Sequence, residues 1–282
     1  MHGLRLIVLL SVVSAHLVVA ASEPPLPDKD QFVAQVRARL RMDRALQANY
    51  TFTERRQEIE ISKLGKVSAE VTKTYEVYPS ANPGFTYKRL IAVNGTPILP
   101  AELARNDEKH RQDVERVAAS PSERAKQQKE IEQNRREERE AIDELFRVYD
   151  IHVVGRETLG GYPTIVGTLD PRREYQPRSD DGRMMKRFRA RVWIHEFEYQ
   201  LVKADLESVE DVTIGWGLLA RLRKGTKVTL QRTKVNDEVW LPANLRVVGT
   251  GRTLIFRGFK IDSLTEWSDY KRFSVSTEES LK

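Results

Sequence analysis

The side chains able to do chemistry are few in kind and scattered. Histidine occurs five times, as His2, His16, His110, His152 and His195. The first two fall in an apolar N-terminal stretch, and the other three stand too far apart for metal-ligand spacing. His195 closes the run Trp193-Ile194-His195-Glu196 and reads as a turn or edge residue before it reads as a ligand. There is no cysteine, which excludes a lipidated N-terminal cysteine, a disulfide framework and a thiolate metal site. No Gly-x-Ser-x-Gly elbow, Walker loop, dinucleotide fingerprint or His-Glu-x-x-His pair is present. Acidic residues are plentiful, so a hydrolase built on paired carboxylates stays open as a third reading, but nothing in their spacing singles out a pair. The residues predict no catalytic set, no metal and no cofactor.

Two groups of residues do stand out. One is basic: Arg172, Arg173, Arg178, Arg183, Lys186, Arg187, Arg189 and Arg191, relieved only by Glu174, Asp180 and Asp181. Alternation with Phe188, Ala190, Val192 and Ile194 sets Arg187, Arg189 and Arg191 on one strand face. Such a cationic stripe suits lipid phosphate headgroups or an acidic partner. It equally suits a solvated strand face that discourages edge-to-edge pairing. The other group is apolar: Phe52, Tyr75, Tyr87, Phe188, Val192, Trp216, Leu218, Trp240, Leu245, Phe256 and Phe259. Most of these serve as core. A sheet too curved to be filled by its own side chains also keeps a hollow, and a hollow of this lining suits an acyl chain. Each buried methylene contributes ~0.8 kcal/mol, so one chain binds firmly without polar chemistry.

The elements that must position these residues follow from periodicity. The stretch 183–265 alternates with period two and carries turn signals at Lys224-Gly225, Asn236-Asp237 and Gly249-Thr250-Gly251, which predicts an antiparallel meander. Strands are also expected over 50–61, from Val67 to Val77, around Phe85 to Val93 before the Asn94-Gly95 turn, and over 151–157 and 162–169 around Gly160-Gly161. Ahead of them, Asp28 or Asp30 caps a helix reaching about residue 48. Its apolar residues Phe32, Val33, Val36, Leu40 and Leu46 fall near one side. It reads as a lid on a sheet, with a membrane-surface helix as the alternative. Between residues 101 and 150 composition changes to Glu, Arg, Lys and Gln without glycine. Ser120-Pro121-Ser122-Glu123 is a capping box, so two helices are expected, over 101–118 and 121–147. They read either as a solvated insertion or as a partner-binding arm or movable lid. The fold class is therefore α+β: a strongly curved antiparallel sheet, an incomplete β-barrel, with helices covering the concave face and a charged helical insertion over 101–150.

The address is read from the ends of the apolar stretch. Arg5 precedes an apolar run over 6–20, closed by Ala20, Ala21 and Ser22 and followed by Pro24-Pro25, the pattern of a cleaved signal peptide over 1–21. An uncleaved anchor is the alternative, although a span needs ~20 apolar residues. What remains, 22–282, is expected to be a single domain. Export without cysteine fits a Gram-negative periplasm. The net charge of +6 favours anionic envelope partners and peripheral membrane contact over nucleic acid. An outer-membrane barrel is disfavoured because the strand faces carry many Arg, Lys and Glu.

These features together resemble the LolA-like superfamily of periplasmic lipoprotein carriers, which includes LolB and the N-terminal domain of RseB. The resemblance runs over most of the chain. It is carried by Tyr50-Thr51-Phe52 after the first helix, Val93-Asn94-Gly95, Leu159-Gly160-Gly161-Tyr162-Pro163, Val192-Trp193-Ile194 with the hairpin that follows, Leu201-Val202-Lys203-Ala204, Val239-Trp240-Leu241-Pro242 and Tyr270-x-x-Phe273. It implies an incomplete barrel plugged by helices, an interior that accepts the acyl chains of a lipid or lipoprotein, and a monomer. The groove is then expected from Phe32 and Val36 of the lid with Tyr75, Tyr87, Val192, Trp216 and Phe256 of the sheet, and Arg187, Arg189 and Arg191 as headgroup or acidic-partner contacts. A sensor or regulatory protein on the same fold, meeting envelope proteins through the insertion, is the alternative. The insertion and the basic region 171–191 are departures from the family pattern.

Overall fold

The computed structural model describes residues 24–40, 49–61, 67–79, 86–214, 220–253 and 258–272. The leader 1–21 and the expected groove residues Trp216 and Phe256 lie outside the described residues.

Among the described residues thirteen strands form one antiparallel sheet: β1 (Tyr50–Ile61), β2 (Val67–Tyr78), β3 (Tyr87–Val93), β4 (Thr96–Pro97), β5 (Tyr149–Leu159), β6 (Tyr162–Pro171), β7 (Phe188–His195), β8 (Leu201–Ser208), β9 (Val212–Ile214), β10 (Ala220–Leu222), β11 (Lys227–Val235), β12 (Val239–Thr253) and β13 (Gly258–Arg272). Their order is β4-β3-β2-β1-β13-β12-β11-β8-β7-β6-β5, with the β9–β10 hairpin paired to β12. The sheet is open: β4 and β5 are its edges. Among the described residues four helices join it: α1 (Lys29–Leu40), α2 (Pro100–Ala119), α3 (Pro121–Val148) and the short α4 (Asp180–Met185). This is the α+β class expected, an unclosed antiparallel sheet with a few helices. Among the described residues no helix is long and apolar enough to cross a membrane.

Local chemistry accounts for most boundaries. Asn94 and Gly95 both take positive φ, 50° and 77°, the pair of left-handed residues that a tight hairpin turn requires. Ser120 caps α3 by accepting from the Glu123 amide at 3.4 Å, with Pro121 at the first helical position. One expected turn is overturned. Gly249-Thr250-Gly251 lies inside β12, which runs on to Thr253. Both glycines make room instead. A Cβ on Gly249 would sit 2.6 Å from the Thr226 hydroxyl, and one on Gly251 would sit 2.5 Å from the Phe259 ring. Glycine inside a strand here marks close approach rather than a bend. The basic loop after Pro171 also contains a helix that was not expected, α4, capped by the Ser179 hydroxyl on the Gly182 amide at 2.9 Å.

Register fixes which residues share a face, because opposed residues of paired strands point the same way. One row runs through Val153, Gly167, Val192, Ala204, Leu230, Leu245, Thr265 and Arg56. A parallel row contains Ile151, Leu169, Ala190, Leu206, Val228 and Val247. This is the inner face, since α1 and the end of α3 pack on it. Phe32 of α1 meets Ile165 and Ile194, joined by Val36, Val153, Val192 and Leu201. Val148 and Leu145 of α3 meet Leu169, Ile151, Ala190 and Val192.

Candidate functional site

The inner face changes character along the sheet. From β5 to β7 Ile165, Leu169 and Ile194 are buried, with Ile151, Val153, Ala190 and Val192 half-buried around them beneath α1 and α3. From β8 to β12, Leu206, Val228, Leu230, Leu245 and Val247 are only half-buried, although they continue the same aliphatic rows. At β13, β1, β2 and β3 the face turns polar. Glu54 is opposed by Trp267 on one side and Tyr75 on the other, and Tyr75 by Leu90. Glu54 is buried, 3 % exposed. It accepts from Lys88 Nζ at 3.0 and 3.1 Å, from Arg56 Nη2 at 2.6 Å and from the Trp267 indole N–H at 3.1 Å.

The lid is held from both sides. Phe32 is buried and meets Tyr199 edge-on at 5.5 Å. Arg37 donates to Asp143 of α3 at 2.8 Å and lies over the Phe146 ring. The extended segment before α1 is tied down as well: Arg156, paired with Glu196, donates to the Pro24 carbonyl at 2.8 Å.

Of the residues expected in the groove, Phe32, Val36 and Val192 come together under α1. Tyr75 shares the inner face but stands among the charged residues at its far end. Tyr87 does not join them. It pairs with Tyr78, while its neighbour Lys88 pairs with Val77, so Tyr87 points to the outer face. There its hydroxyl donates to Asp107 of α2 at 2.6 Å and its ring stacks on His110 at 4.1 Å. Burial, reinforced by the Asp107 hydrogen bond, pushes the Tyr87 hydroxyl up to about 12. Arg89 grips the same aspartate at 2.9 Å. Its guanidinium and the Tyr87 hydroxyl hold that carboxyl below the usual range.

The arginine stripe lies on the outer face, and each member already meets a carboxylate. Arg187 lies 3.5 Å from Glu210, Arg189 2.8 Å from Glu207 and Arg191 2.5 Å from Glu157. Trp193, on the same outer face, is only 7 % exposed, with Arg191 and Lys203 lying over its ring at 5.2 and 4.4 Å. Its indole N–H donates to Glu157 at 2.8 Å, which with Arg191 holds that carboxyl low. A depression of about 580 Å³ opens on this outer face beside Arg189, Arg191, Lys203 and Asp205. Its lining is charged, so it is no place for an acyl chain. Among the described residues no three His, Asp or Glu side chains stand together as metal ligands.

Sequence reasoning missed the charged end of the inner face. The signal was present: Glu54 shares the parity of Phe52 in Tyr50-Thr51-Phe52-Thr53-Glu54, placing an acid on the face that the aromatics claim.

No family model and no curated protein sequence matches the chain. Among solved structures it is similar to an outer membrane lipoprotein-sorting protein domain from Vibrio parahaemolyticus, at 10% identity over 88% of this chain and 93% of that one, with a TM-score of 0.34. It is also similar to a DUF1329 family protein from Desulfovibrio piger, at 13% identity over 87% and 94% of the two chains and a TM-score of 0.28. The MucA/MucB complex of Pseudomonas aeruginosa contains a third similar chain, at 9% identity, 87% and 99% coverage and a TM-score of 0.24. The chemistry of the site rests on this chain's own residues.

Proposed function

We propose that residues 22–282 act as one exported envelope protein, released from a leader over 1–21, that holds the acyl chains of a lipid or lipoprotein against its inner face. One observation carries this reading. Leu230 and Leu245 continue the inner-face row beyond the buried Ala204, are only half-buried, and lie outside the cluster that Phe32 buries. An apolar strip of this kind has a use for a greasy guest. Capture needs no catalysis: burial of methylenes supplies the affinity, and a lid fixed by one aromatic anchor supplies a route for release. Phe32 and Val36 belong to the lid, Val192 and the half-buried aliphatics to the floor.

The test is native mass spectrometry of protein purified from the envelope, followed by reloading of stripped protein with phospholipid. A lipid adduct is expected. Phe32→Ala weakens the docking of α1 by about 3 kcal/mol, so lipid exchange should speed up while the sheet still melts cooperatively. A stripped protein that takes up no lipid, with or without Phe32, would remove the proposal.

A second reading, a regulatory protein that meets an envelope partner, is favoured by the α2–α3 arm. Its outer parts are exposed and laced by local pairs such as Arg111 with Glu108 and Glu115.

A further inference from the structure

We infer that the tip of the hairpin between β7 and β8 is a docking point for a lipid bilayer, with Phe197 as its anchor and Leu26 as a second contact. The tip is built inside out. By polarity alone, Glu196-Phe197-Glu198 would send two acids to water and the ring to the core. The reverse is seen. Glu196 turns back to Arg156, which donates to it at 2.6 and 2.8 Å. Glu198 accepts from Lys234 at 2.8 Å and from the Trp240 indole N–H at 2.7 Å. The two acids keep 14 % and 34 % of their side-chain surface, whereas Phe197 is 70 % exposed. The turn is also held in shape. Nδ1 of the buried His195 accepts from the Phe197 and Glu198 amides at 3.3 and 3.1 Å, and the Tyr199 amide donates to the His195 carbonyl at 3.0 Å. A ring held out by a fixed turn loses little freedom when it is buried.

Charge and position say what the ring meets. Both acids of the tip are matched by a cation within the protein, so the tip offers an aromatic group rather than a charge, and matched ions tolerate loss of water better than single ones. Phe and Leu side chains seat at the boundary between headgroups and acyl chains. Arg156 also donates to the Pro24 and Pro25 carbonyls at 2.8 and 3.4 Å, which ties the segment before α1 to the same hairpin. Leu26 follows directly and is 43 % exposed. With 1–21 as the leader, three chain steps, at most about 11 Å, separate its end from Pro24, so export delivers this end of the sheet to the bilayer surface. That support rests on the exported reading above; docking itself does not require lipid capture. Tyr199 of the same hairpin meets Phe32, so the anchor of the lid lies at the docked end.

The experiment floats the full-length mature protein with phosphatidylcholine vesicles in high salt, which screens the basic outer face. The wild type is expected to partition onto the vesicles. Phe197→Ser should lower the partition coefficient about tenfold, Leu26→Ser should lower it less, and Phe197→Trp should retain it. Leu99→Ser removes an equally exposed side chain, 70 %, ahead of α2 and should change nothing. A melting curve checks that each variant folds, and the intact mass of the purified chain reports leader removal separately, so a failure of export and a failure of docking are told apart. No partitioning of the wild type, partitioning untouched by Phe197→Ser, or an equal loss with Leu99→Ser overturns the proposal while leaving lipid capture in place. Phe197-dependent capture of a protein without vesicle partitioning would assign the ring to a protein pocket and also overturn it.

Discussion

Glu144 shows how much one side chain fixes. It projects from α3, and four groups converge on its carboxylate: the Arg178 amide at 2.5 Å, the Ser179 amide at 3.2 Å, the Ser179 hydroxyl and the Tyr175 hydroxyl at 3.3 Å. Gly182 lies so close that a Cβ there would stand 2.4 Å from the carboxyl carbon. Burial pushes this carboxyl up, but the hydrogen bonds from Ser179, Arg178 and Tyr175 outweigh it and hold it below the ordinary value of 4.5. A carboxyl whose folded value is lowered stabilises the fold above its unfolded value, and that contribution is lost as pH falls through the lowered one. The loop carrying α4 should therefore loosen only in acid, below about pH 4.5. Thermal midpoints measured from pH 7 downward should fall there, and Glu144→Gln should flatten the fall while lowering the midpoint at pH 7. A midpoint that declines equally in wild type and variant would show that other groups carry the acid response. None of this was legible in the sequence: Glu144 is one acid among many in a charged helix, and its partners lie 31 to 35 residues away.

At the scale of elements, the charged insertion stands on two feet. One is the Glu144 socket at the end of α3. The other is the clamp on α2, where Asp107 receives both Tyr87 and Arg89 of β3, a strand near the sheet edge. Between the feet α2 and α3 extend ~30 and ~42 Å by helical rise. Tyr87→Phe removes one hydrogen bond, about 1 kcal/mol. Asp107→Asn also weakens the charged grip on Arg89 and should cost more. Hydrogen exchange should then accelerate in 100–112, more for Asp107→Asn, while β11 to β13 keep their protection. Unchanged exchange in α2 would mean that the arm is held elsewhere. Helix positions here were readable, because the capping box and the loss of glycine are local signals. The side of the sheet reached by Tyr87 was not, because parity in β3 depends on a register irregularity between Thr74 and Tyr75 of β2. The Gly249-Thr250-Gly251 misreading has the same root: a glycine needed for a neighbour's bulk looks in sequence like a glycine needed for a turn.

For the whole molecule, the arm connects the two ends of the sheet. It leaves from β4, one edge, and returns into β5, the other. Replacing 112–136 by a short Gly-Ser link keeps both feet. Lipid uptake and the melting midpoint of the sheet should stay near wild type, and capture of an envelope protein partner should be lost. Loss of lipid uptake in that variant would place the arm in the capture machinery. The antiparallel plan and the helical cover were readable from alternation and turn residues. The partition of the inner face into covered, half-open and charged zones was not, because it arises from pairings such as Thr51 with Lys271, 220 residues apart.

That pairing has a temporal side. As the chain emerges in order, β1 to β4 appear early, but β13, which pairs with β1 on its other side, is the last of the described strands. The early meander must wait through the synthesis or export of most of the polypeptide with one flank unzipped. A chaperone that shields such a flank, or a protease that finds it, therefore acts on a window set by topology: the window closes only when 258–272 arrive and the late half of the protein locks onto the early one.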